Sequence, residues 1–223
     1  MNYSNLNKLN KKIIHCKKCP RLSLYIRKIA KVKTRRYSDQ KYWGKPLPGF
    51  GDINAKILIV GLAPAAHGGN RTGRMFTGDS SGDWLAKVLY ENGYATNSTS
   101  ESVHDGLRLI DTYITASVRC APPQNKPVKE ELENCLTYLN DELTILKNVI
   151  VIVCLGKIAF NSVCKSLKIK GQRFSHKNLF VHDKWTILSS YHPSRQNTQT
   201  GRLTWDQWYS VFSMVKEIIK ERK

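Results

Sequence analysis

Four short runs of apolar and β-branched residues alternate along the chain with segments of helical periodicity, and this alternation constrains the fold more than any other feature. Each run is bounded by turn or polar residues, as expected for a buried strand. The predicted strands are residues 56–60, 112–118, 149–154 and 184–189. Strands separated by helices form βαβ units, which build a largely parallel sheet with helices on both faces. The chain is therefore predicted to be an α/β/α sandwich with a central, mostly parallel four-stranded sheet.

The length of 223 residues suits one domain with a sizeable core, so we take residues 1–223 as a single domain. Within it, residues 1–50 are expected to form a basic N-terminal segment that contains two helices. The predicted helices are residues 3–15, 20–31, 83–92, 128–146 and a last helix that begins after Thr204. Thr204 and Gln207 have the spacing of a capping box, which locates the start of that last helix.

A long loop, residues 61–79, follows the first predicted strand. Its glycines and small residues let backbone N–H groups approach an anionic ligand closely, although a mere connector is the alternative. The loop has neither the Walker spacing nor the dinucleotide fingerprint. In open parallel sheets, ligands bind outside the carboxyl ends of the strands. The loops after Val60, Val118 and Ser189 are therefore expected to meet at one active site that holds no nucleotide cofactor.

The chain is strongly basic, with 36 Lys and Arg against 17 Asp and Glu and a net charge of +19. Such an excess suits nucleic acid as partner, although lysines that only solvate the surface would give the same count. A membrane is disfavoured, because the longest apolar run, residues 149–155, is far shorter than the roughly 20 residues of a spanning helix. The N-terminus has no apolar signal-peptide region. We expect a soluble, intracellular protein of the cytoplasm or nucleoid.

Six cysteines in an intracellular chain seldom form disulfides, so their spacing raises the question of metal binding. Cys16 and Cys19 form a tight Cys-x-x-Cys pair, and Cys120 and Cys135 form a second pair. Four thiolates are the donor set of a cubane cluster or of a structural zinc, and unlinked thiols are the alternative. The two remaining cysteines lie in a buried apolar run and in a helix, and we leave them out of the ligand set. They are Cys154 and Cys164.

A third loop carries His192, Pro193 and Ser194 directly after the last predicted strand. Alone, this triplet is as typical of a turn as of a site. Together with the first loop, the four cysteines and the basic charge, it resembles the uracil-DNA glycosylase superfamily, specifically family 5, the type B enzymes. The motifs that carry the resemblance are Cys16-x-x-Cys19-Pro20, residues 48–52, residues 61–79, residues 118–123, Cys135 and His192-Pro193-Ser194. Family 4 typically has an acidic residue where Ala63 stands here.

Removal of a base from DNA requires stacking on the flipped base, stabilisation of the charge that it carries away, and delivery of water. Phe76 is expected to stack on the base, and His192 to donate a hydrogen bond from a neutral imidazole. Asp79 is expected to orient the water, a role that the family 5 resemblance supports; its alternative role is the N-cap of the following helix. The catalytic candidates are Asp79 and His192. The substrate-binding candidates are Gly61, Ala63, Pro64, Ala65, Phe76, Asn70 and Ser117.

Other residues are expected to contact the duplex. Arg71 and Arg74 in the first loop are candidates for phosphate or base contacts, with turn or surface roles as the alternative. After the His192 loop, the superfamily inserts a wedge that fills the gap left by the flipped nucleotide. Leu203 or the pair Arg195 and Gln196 can serve as wedge, and Leu203 can equally belong to the core. The DNA-binding candidates are Arg71, Arg74, Ser194, Arg195, Gln196 and Leu203.

The resemblance also implies a cofactor and a substrate range. Cys16, Cys19, Cys120 and Cys135 would hold a structural [4Fe-4S] cluster, rather than zinc, that tethers the N-terminal segment. Ala116 stands where many relatives have an Asn that reads the uracil edge. The absence of that Asn amide, together with the resemblance, implies that the pocket accepts a broad range of deaminated bases, including hypoxanthine and modified uracils.

No lysine is obviously placed as a Schiff-base nucleophile, so we expect a monofunctional uracil-DNA glycosylase that leaves an abasic site. The alternative is a non-hydrolytic protein of the same fold that only binds damaged DNA. The expected partner is DNA that contains uracil or other deaminated bases. We expect a monomer, and the sequence leaves a sliding-clamp partner open.

Overall fold

The computed structural model describes residues 2–222 and contains one mixed sheet. Its strands are β1 (Phe50–Gly51), β2 (Ile57–Gly61), β3 (Thr112–Ala116), β4 (Val151–Leu155), β5 (Leu179–His182) and β6 (Trp185–Ser190). The six strands are arranged in the order β1-β3-β2-β4-β6-β5. The inner four are parallel to one another, and β1 and β5 pair antiparallel at the two edges.

The four predicted strands correspond to β2, β3, β4 and β6, but the predicted sheet of four strands was wrong in number. Parallel strands that are covered on both faces read as continuous apolar runs, which is why the sequence pattern identified these four. The strand β1 is only two residues long, and β5 alternates between exposed and half-buried residues. The strand β5 has only three consecutive apolar residues, Leu179 to Val181, fewer than the about four to eight of a recognisable buried strand, and β1 is shorter still, so both escaped the pattern.

Residues 2–222 contain eight α-helices, which pack on the sheet or beside it. They are α1 (Asn2–Ile14), α2 (Pro20–Val32), α3 (Gly69–Thr72), α4 (Ser80–Glu91), α5 (Lys129–Ile145), α6 (Lys157–Ser166), α7 (Arg195–Gln199) and α8 (Trp205–Glu221). The five predicted helices are confirmed to within one turn at each end. The capping box at the start of α8 is also present, with Gln207 N–H donating to Thr204 Oγ1 at 3.3 Å. Along residues 2–222, every helix is too short or too polar to cross a membrane.

The helices form two layers, one on each face of the sheet, which confirms the α/β/α architecture. On one face α8 packs over β4 and β6 and α4 packs beside α8, with Trp208 of α8 fully buried. On the other face α1, α5 and α6 cover the sheet. A third apolar cluster joins α1 and α2 to α5 and to the segment around Val118. The N-terminal helices thus pack beside the carboxyl end of β3, where the predicted site lies.

Candidate active site

The carboxyl ends of the parallel strands open into a cavity of about 660 Å³. Its walls come from the segments that follow β2, β3, β4 and β6. The predicted residues that line it are Ala63, Pro64, Ala65, Phe76, Asp79, His192, Ser194, Arg195 and Gln196. Open parallel sheets bind their ligands at this position. We therefore take this cavity as the candidate active site.

Phe76 and His192 lie against each other in the cavity wall. Their ring centroids are 5.6 Å apart and the planes are inclined by 26°. The backbone of Phe76 has a φ of 48°, a left-handed conformation that costs a residue with a side chain about 1–3 kcal/mol. Gly61 provides the space for the ring, because a Cβ there would stand 2.7 Å from two of its carbons. Gly61 therefore acts by letting the Phe76 ring lie over the end of β2.

Asp79 serves both as a helix cap and as a wall of the cavity. Its Oδ1 accepts the N–H groups of Ser81 and Gly82, each at 3.0 Å, at the start of α4. The second oxygen, Oδ2, has no hydrogen-bond partner within residues 2–222 and lies against Gly68, where a Cβ would approach it to 2.0 Å. Burial raises the pKa of Asp79, and the two backbone N–H groups oppose this shift. The cap thus uses one oxygen and leaves the other without a hydrogen-bond partner in the described part of the chain.

His192 follows β6 and presents a neutral imidazole to the cavity. Burial lowers the pKa of His192 to about 4, so the ring is uncharged at neutral pH. The carbonyl of His192 accepts hydrogen bonds from Ser194 N–H and Asn197 Nδ2, both at 2.8 Å, which fixes the loop. Within residues 2–222 the ring itself makes no hydrogen bond. One ring N–H is therefore available to a ligand.

The lowered pKa of His192 predicts a pH-dependent loss of stability. Between the unfolded value of 6.5 and the folded value of about 4, the unfolded chain binds more protons, so stability falls as the pH falls through this window. We expect protonation of His192 to lower the free energy of unfolding by about 1–2 kcal/mol, because solvent reaches part of the side chain and weakens the effect. Urea unfolding at a pH above and a pH below this window should show a smaller loss of unfolding free energy for His192→Gln than for the wild-type protein. Equal losses in the two proteins would contradict the lowered pKa.

The structure does not bring Asn70 and Arg74 to the cavity. Asn70 is fully buried and donates to the carbonyls of Ile26 and Ala66, both at 3.3 Å. Arg74 is 8% exposed and forms a two-pronged ion pair with Asp105 at 2.6 and 3.0 Å. These placements correct the predicted substrate and DNA contacts of both residues, because both side chains are buried and their N–H groups donate to partners inside the protein.

Arg71 braces the first loop. It donates to the carbonyls of His67 at 2.7 Å and Gly78 at 2.9 Å, and its positive charge lowers the pKa of nearby Asp79. These bonds give Arg71 a structural role and an electrostatic effect on the cavity, and its DNA contact stays a prediction.

Ser117 and Leu203 also lie away from the cavity surface. Ser117 is 3% exposed and its hydroxyl donates to the Gly61 carbonyl at 3.1 Å, so it holds β3 to β2. Leu203 is fully buried in the core under α8, which corrects its predicted role as wedge. The other wedge candidate, the pair Arg195 and Gln196, is exposed at the cavity rim.

Sequence reasoning missed two parts of the cavity wall. Gln124 and Asn125 line it from the turn after β3, with left-handed φ values of 54° and 57°. Gly156 and Lys157 line it from the end of β4. The second segment follows a buried parallel strand, so the rule that placed the other three loops at the carboxyl edge predicts it as well. The first had only the Pro-Pro sequence before it as a turn signal.

Unpaired cations stand at the rim of the cavity. Lys157 and Arg195 line it, and neither forms an ion pair with a carboxylate within the described part of the chain. An unpaired Lys or Arg beside a cavity favours an anionic ligand such as a phosphate backbone. Part of the excess positive charge of the chain therefore lies at the candidate site.

The four predicted ligand cysteines belong to one apolar cluster between α1, α2 and α5. Cys120 and Cys135 are buried in it, and Cys16 and Cys19 pack against it. Burial raises the pKa of Cys120 and Cys135, and the neighbouring thiols raise these values further. Among residues 2–222, no group of three or more His, Cys, Asp or Glu side chains is arranged to hold a metal ion.

The amino-acid sequence matches a known family. The family model described as the uracil DNA glycosylase superfamily matches residues 48–213. The chain belongs to this superfamily. It is 44% identical to a type-5 uracil-DNA glycosylase of Pyrobaculum aerophilum over 86% of this chain and 84% of the relative. It is 45% identical to one of Thermus thermophilus over 91% of this chain and 93% of the relative.

Other relatives place the chain among the type-5 proteins of the superfamily. A type-5 uracil-DNA glycosylase of Mycobacterium bovis is 43% identical over 94% of this chain and 80% of the relative. A type-4 uracil-DNA glycosylase of Pyrobaculum aerophilum is 31% identical over 85% of this chain and 83% of the relative. The resemblance to family 5 is therefore confirmed. The family model begins at residue 48, but an alignment over 94% of the chain also includes most of the N-terminal segment.

Proposed function

We propose that this chain is a monofunctional uracil-DNA glycosylase, which hydrolyses the N-glycosidic bond of uracil in DNA and leaves an abasic site. The observation that carries the proposal is one cavity lined by a carboxylate with a free oxygen, Asp79, and by a neutral imidazole, His192. Membership of a superfamily whose type-5 members are named for this reaction supports it.

The reaction follows from the placement of these two groups. The flipped base stacks on Phe76, and the ring N–H of His192 donates to the base oxygen on which negative charge develops. The bond between C1′ and the base nitrogen breaks, and its electron pair leaves with the base. Oδ2 of Asp79 orients a water that adds to C1′ and opposes the positive charge of the sugar. The water proton passes to the carboxylate, and the leaving base is protonated from solvent.

We propose a substrate range that extends from uracil to other deaminated bases, including hypoxanthine and modified uracils. Ala116 is 1% exposed at the end of β3 and carries no amide that could read a base edge. The amides of Gln124 and Asn125 line the cavity instead and provide donors and acceptors. Side chains on a turn hold a base edge in a less exact geometry than side chains on a strand. This favours recognition of several related bases over a single one.

Single-turnover incubation with duplexes that contain uracil or hypoxanthine tests this function. Strand scission after alkali, but not before it, is the expected result. Scission before alkali would contradict the monofunctional assignment and would direct attention to Lys157, which lines the cavity. Binding without any product would instead favour the alternative, a protein that only recognises damaged DNA.

We also propose that Cys16, Cys19, Cys120 and Cys135 hold a structural [4Fe-4S] cluster. The donor set fits, because four thiols share one apolar cluster and no other ligand type is needed. Four thiolates also suit a structural zinc, and the resemblance to family 5 favours the cluster over zinc. The cluster would join the N-terminal helices to α5.

Protein purified without oxygen is expected to be brown, with visible absorbance and equal amounts of iron and sulfide. Cys135→Ala should lose the colour and the iron, because it removes a buried ligand. Cys164→Ala is the matched control and should keep both, because Cys164 lies in α6 and outside this cysteine group. A colourless protein that contains stoichiometric zinc would overturn the cluster assignment.

A further inference from the structure

Three side chains form a continuous stack beside the cavity. The rings of His176 and Tyr191 are parallel to within 8° and their centroids are 5.0 Å apart. The guanidinium carbon of Arg202 lies 4.5 Å from the centroid of the Tyr191 ring. A planar guanidinium gains both stacking and cation–π attraction from such a ring. Tyr191 is the residue directly before His192, so the stack adjoins the candidate active site.

The inner layer of the stack is held by the backbone. Nδ1 of His176 accepts the N–H of Tyr191 at 3.3 Å, which anchors the histidine at the end of β6. The hydroxyl of Ser190 lies at the same distance from this nitrogen. The Tyr191 ring is thus held by its stack on His176, and Arg202 lies over this fixed ring. An arginine on a fixed ring loses less side-chain freedom when it binds a ligand.

Arg202 has no partner of its own for its charge. Within residues 2–222 it forms no ion pair and no side-chain hydrogen bond, and it is exposed. It lies in the turn between α7 and α8, a few residues after Ser194, Arg195 and Gln196 of the cavity rim. All five guanidinium N–H donors therefore remain available at the carboxyl edge of the sheet.

We propose that Arg202 is a preorganised contact for a DNA phosphate next to the flipped nucleotide, with Tyr191 and His176 as its positioning residues. The proposal rests on the proposed function, because it takes DNA as the ligand. A stacked arginine keeps its plane fixed, and two of its N–H groups can then meet a phosphate in the two-pronged geometry that lysine lacks. The contact reads no base and adds affinity for any duplex.

Binding to a short undamaged duplex, measured by fluorescence anisotropy over a series of salt concentrations, tests the proposal without turnover. Arg202→Ala is expected to weaken binding about tenfold at low salt and to reduce the slope of log affinity against log salt by about 0.9, the loss of one phosphate contact. Arg202→Lys keeps the charge but cannot stack, so the slope should stay at the wild-type value while affinity falls about threefold.

Two matched controls separate the contact from general effects of charge and packing. Arg222 donates to the Lys184 carbonyl at 2.6 Å, at the amino end of β6, on the opposite side of the sheet from the cavity. Arg222→Ala should leave the slope unchanged. Tyr191→Phe retains the ring and should bind as wild type, whereas Tyr191→Leu removes the ring face and should weaken binding about as much as Arg202→Lys.

The outcomes are distinct. Equal salt slopes for Arg202→Ala and Arg222→Ala would overturn the phosphate contact. Weaker binding of Arg202→Ala with an unchanged slope would overturn it too, since a lost phosphate contact must reduce counterion release. Wild-type binding by Tyr191→Leu would remove the positioning role of the stack. Failure of the wild-type protein to bind any duplex would instead count against the proposed function itself.

Discussion

Asp79→Asn is expected to lower the single-turnover rate of uracil release by about 10³-fold and to leave the fold intact. The amide keeps an oxygen in the position of Oδ1, which accepts the N–H groups of Ser81 and Gly82. It removes the negative charge from Oδ2, the atom that in our mechanism orients water and faces the developing positive charge. The substitution therefore separates catalysis from helix capping. Stability should change by less than about 1 kcal/mol, the small effect of a charge at a helix N-terminus.

Two further variants complete this experiment. Asp79→Ala removes the cap as well and should cost about 1 kcal/mol of stability in addition to the same loss of rate. Asp83→Asn is the matched control, because Asp83 lies in the first turn of α4 but lines a different groove. It should retain nearly the wild-type rate. A rate for Asp79→Asn close to wild type, with a destabilised Asp79→Ala, would make Asp79 a cap alone.

Glu142→Gln is expected to reduce the free energy of unfolding by about 3–5 kcal/mol, the largest stability effect that the structure predicts. Glu142 is fully buried and its Oε2 accepts from Arg119 Nη2 at 2.6 Å and from Thr115 Oγ1 at 2.8 Å. Arg119 is 1% exposed and also donates to Thr115. Loss of the carboxylate charge leaves the guanidinium uncompensated in the core. Urea unfolding at neutral pH measures the loss.

The pair also has a local consequence for the N-terminal segment. The Arg119 backbone N–H donates toward the Cys135 thiol, and Arg119 is next to Cys120. A displaced Arg119 would therefore disturb the contact between the β3 loop and α5. Thermal unfolding of Glu142→Gln should accordingly begin at a lower temperature in protein with or without the proposed cluster.

An exposed ion pair supplies the control for Glu142. Glu133 pairs with Lys165 at 3.0 Å, and both side chains are largely exposed. Glu133→Gln should change stability by less than about 1 kcal/mol. The double variant Arg119→Met with Glu142→Leu should recover most of the loss, since it removes both buried charges together. Equal effects at Glu142 and Glu133 would contradict the importance of burial.

The two edge strands show where sequence periodicity stops being informative. The inner strands were predictable because burial on both faces imposes continuous apolar runs, whatever the rest of the chain does. The strand β1 exists only because Phe50 and Gly51 meet β3, and β5 because a tight turn folds it back on β6. Two residues in β1 and three consecutive apolar residues in β5 are too few to mark a strand by periodicity alone.

The candidate site shows the same division. The positions of Phe76, Asp79 and His192 at one cavity follow from loops that end parallel strands, a rule that needs only chain order. Which of the nearby polar residues face the cavity does not follow from that rule. Gln124 and Asn125 turn into it through left-handed backbone angles, and no residue spacing reports such angles.

The sequence by itself determined the sandwich architecture, the carboxyl-edge site and the residues that end its strands, because these depend on hydrophobic period and on connection geometry. The tertiary structure alone decided the fate of each polar or apolar candidate. Arg74 pairs with Asp105 and Leu203 packs in the core, whereas Arg202 lies on the Tyr191 ring and has no ion-pair partner among residues 2–222. The physical reason is that hydrogen bonds, ion pairs and burial are satisfied by partners distant in sequence, which only the folded chain brings together.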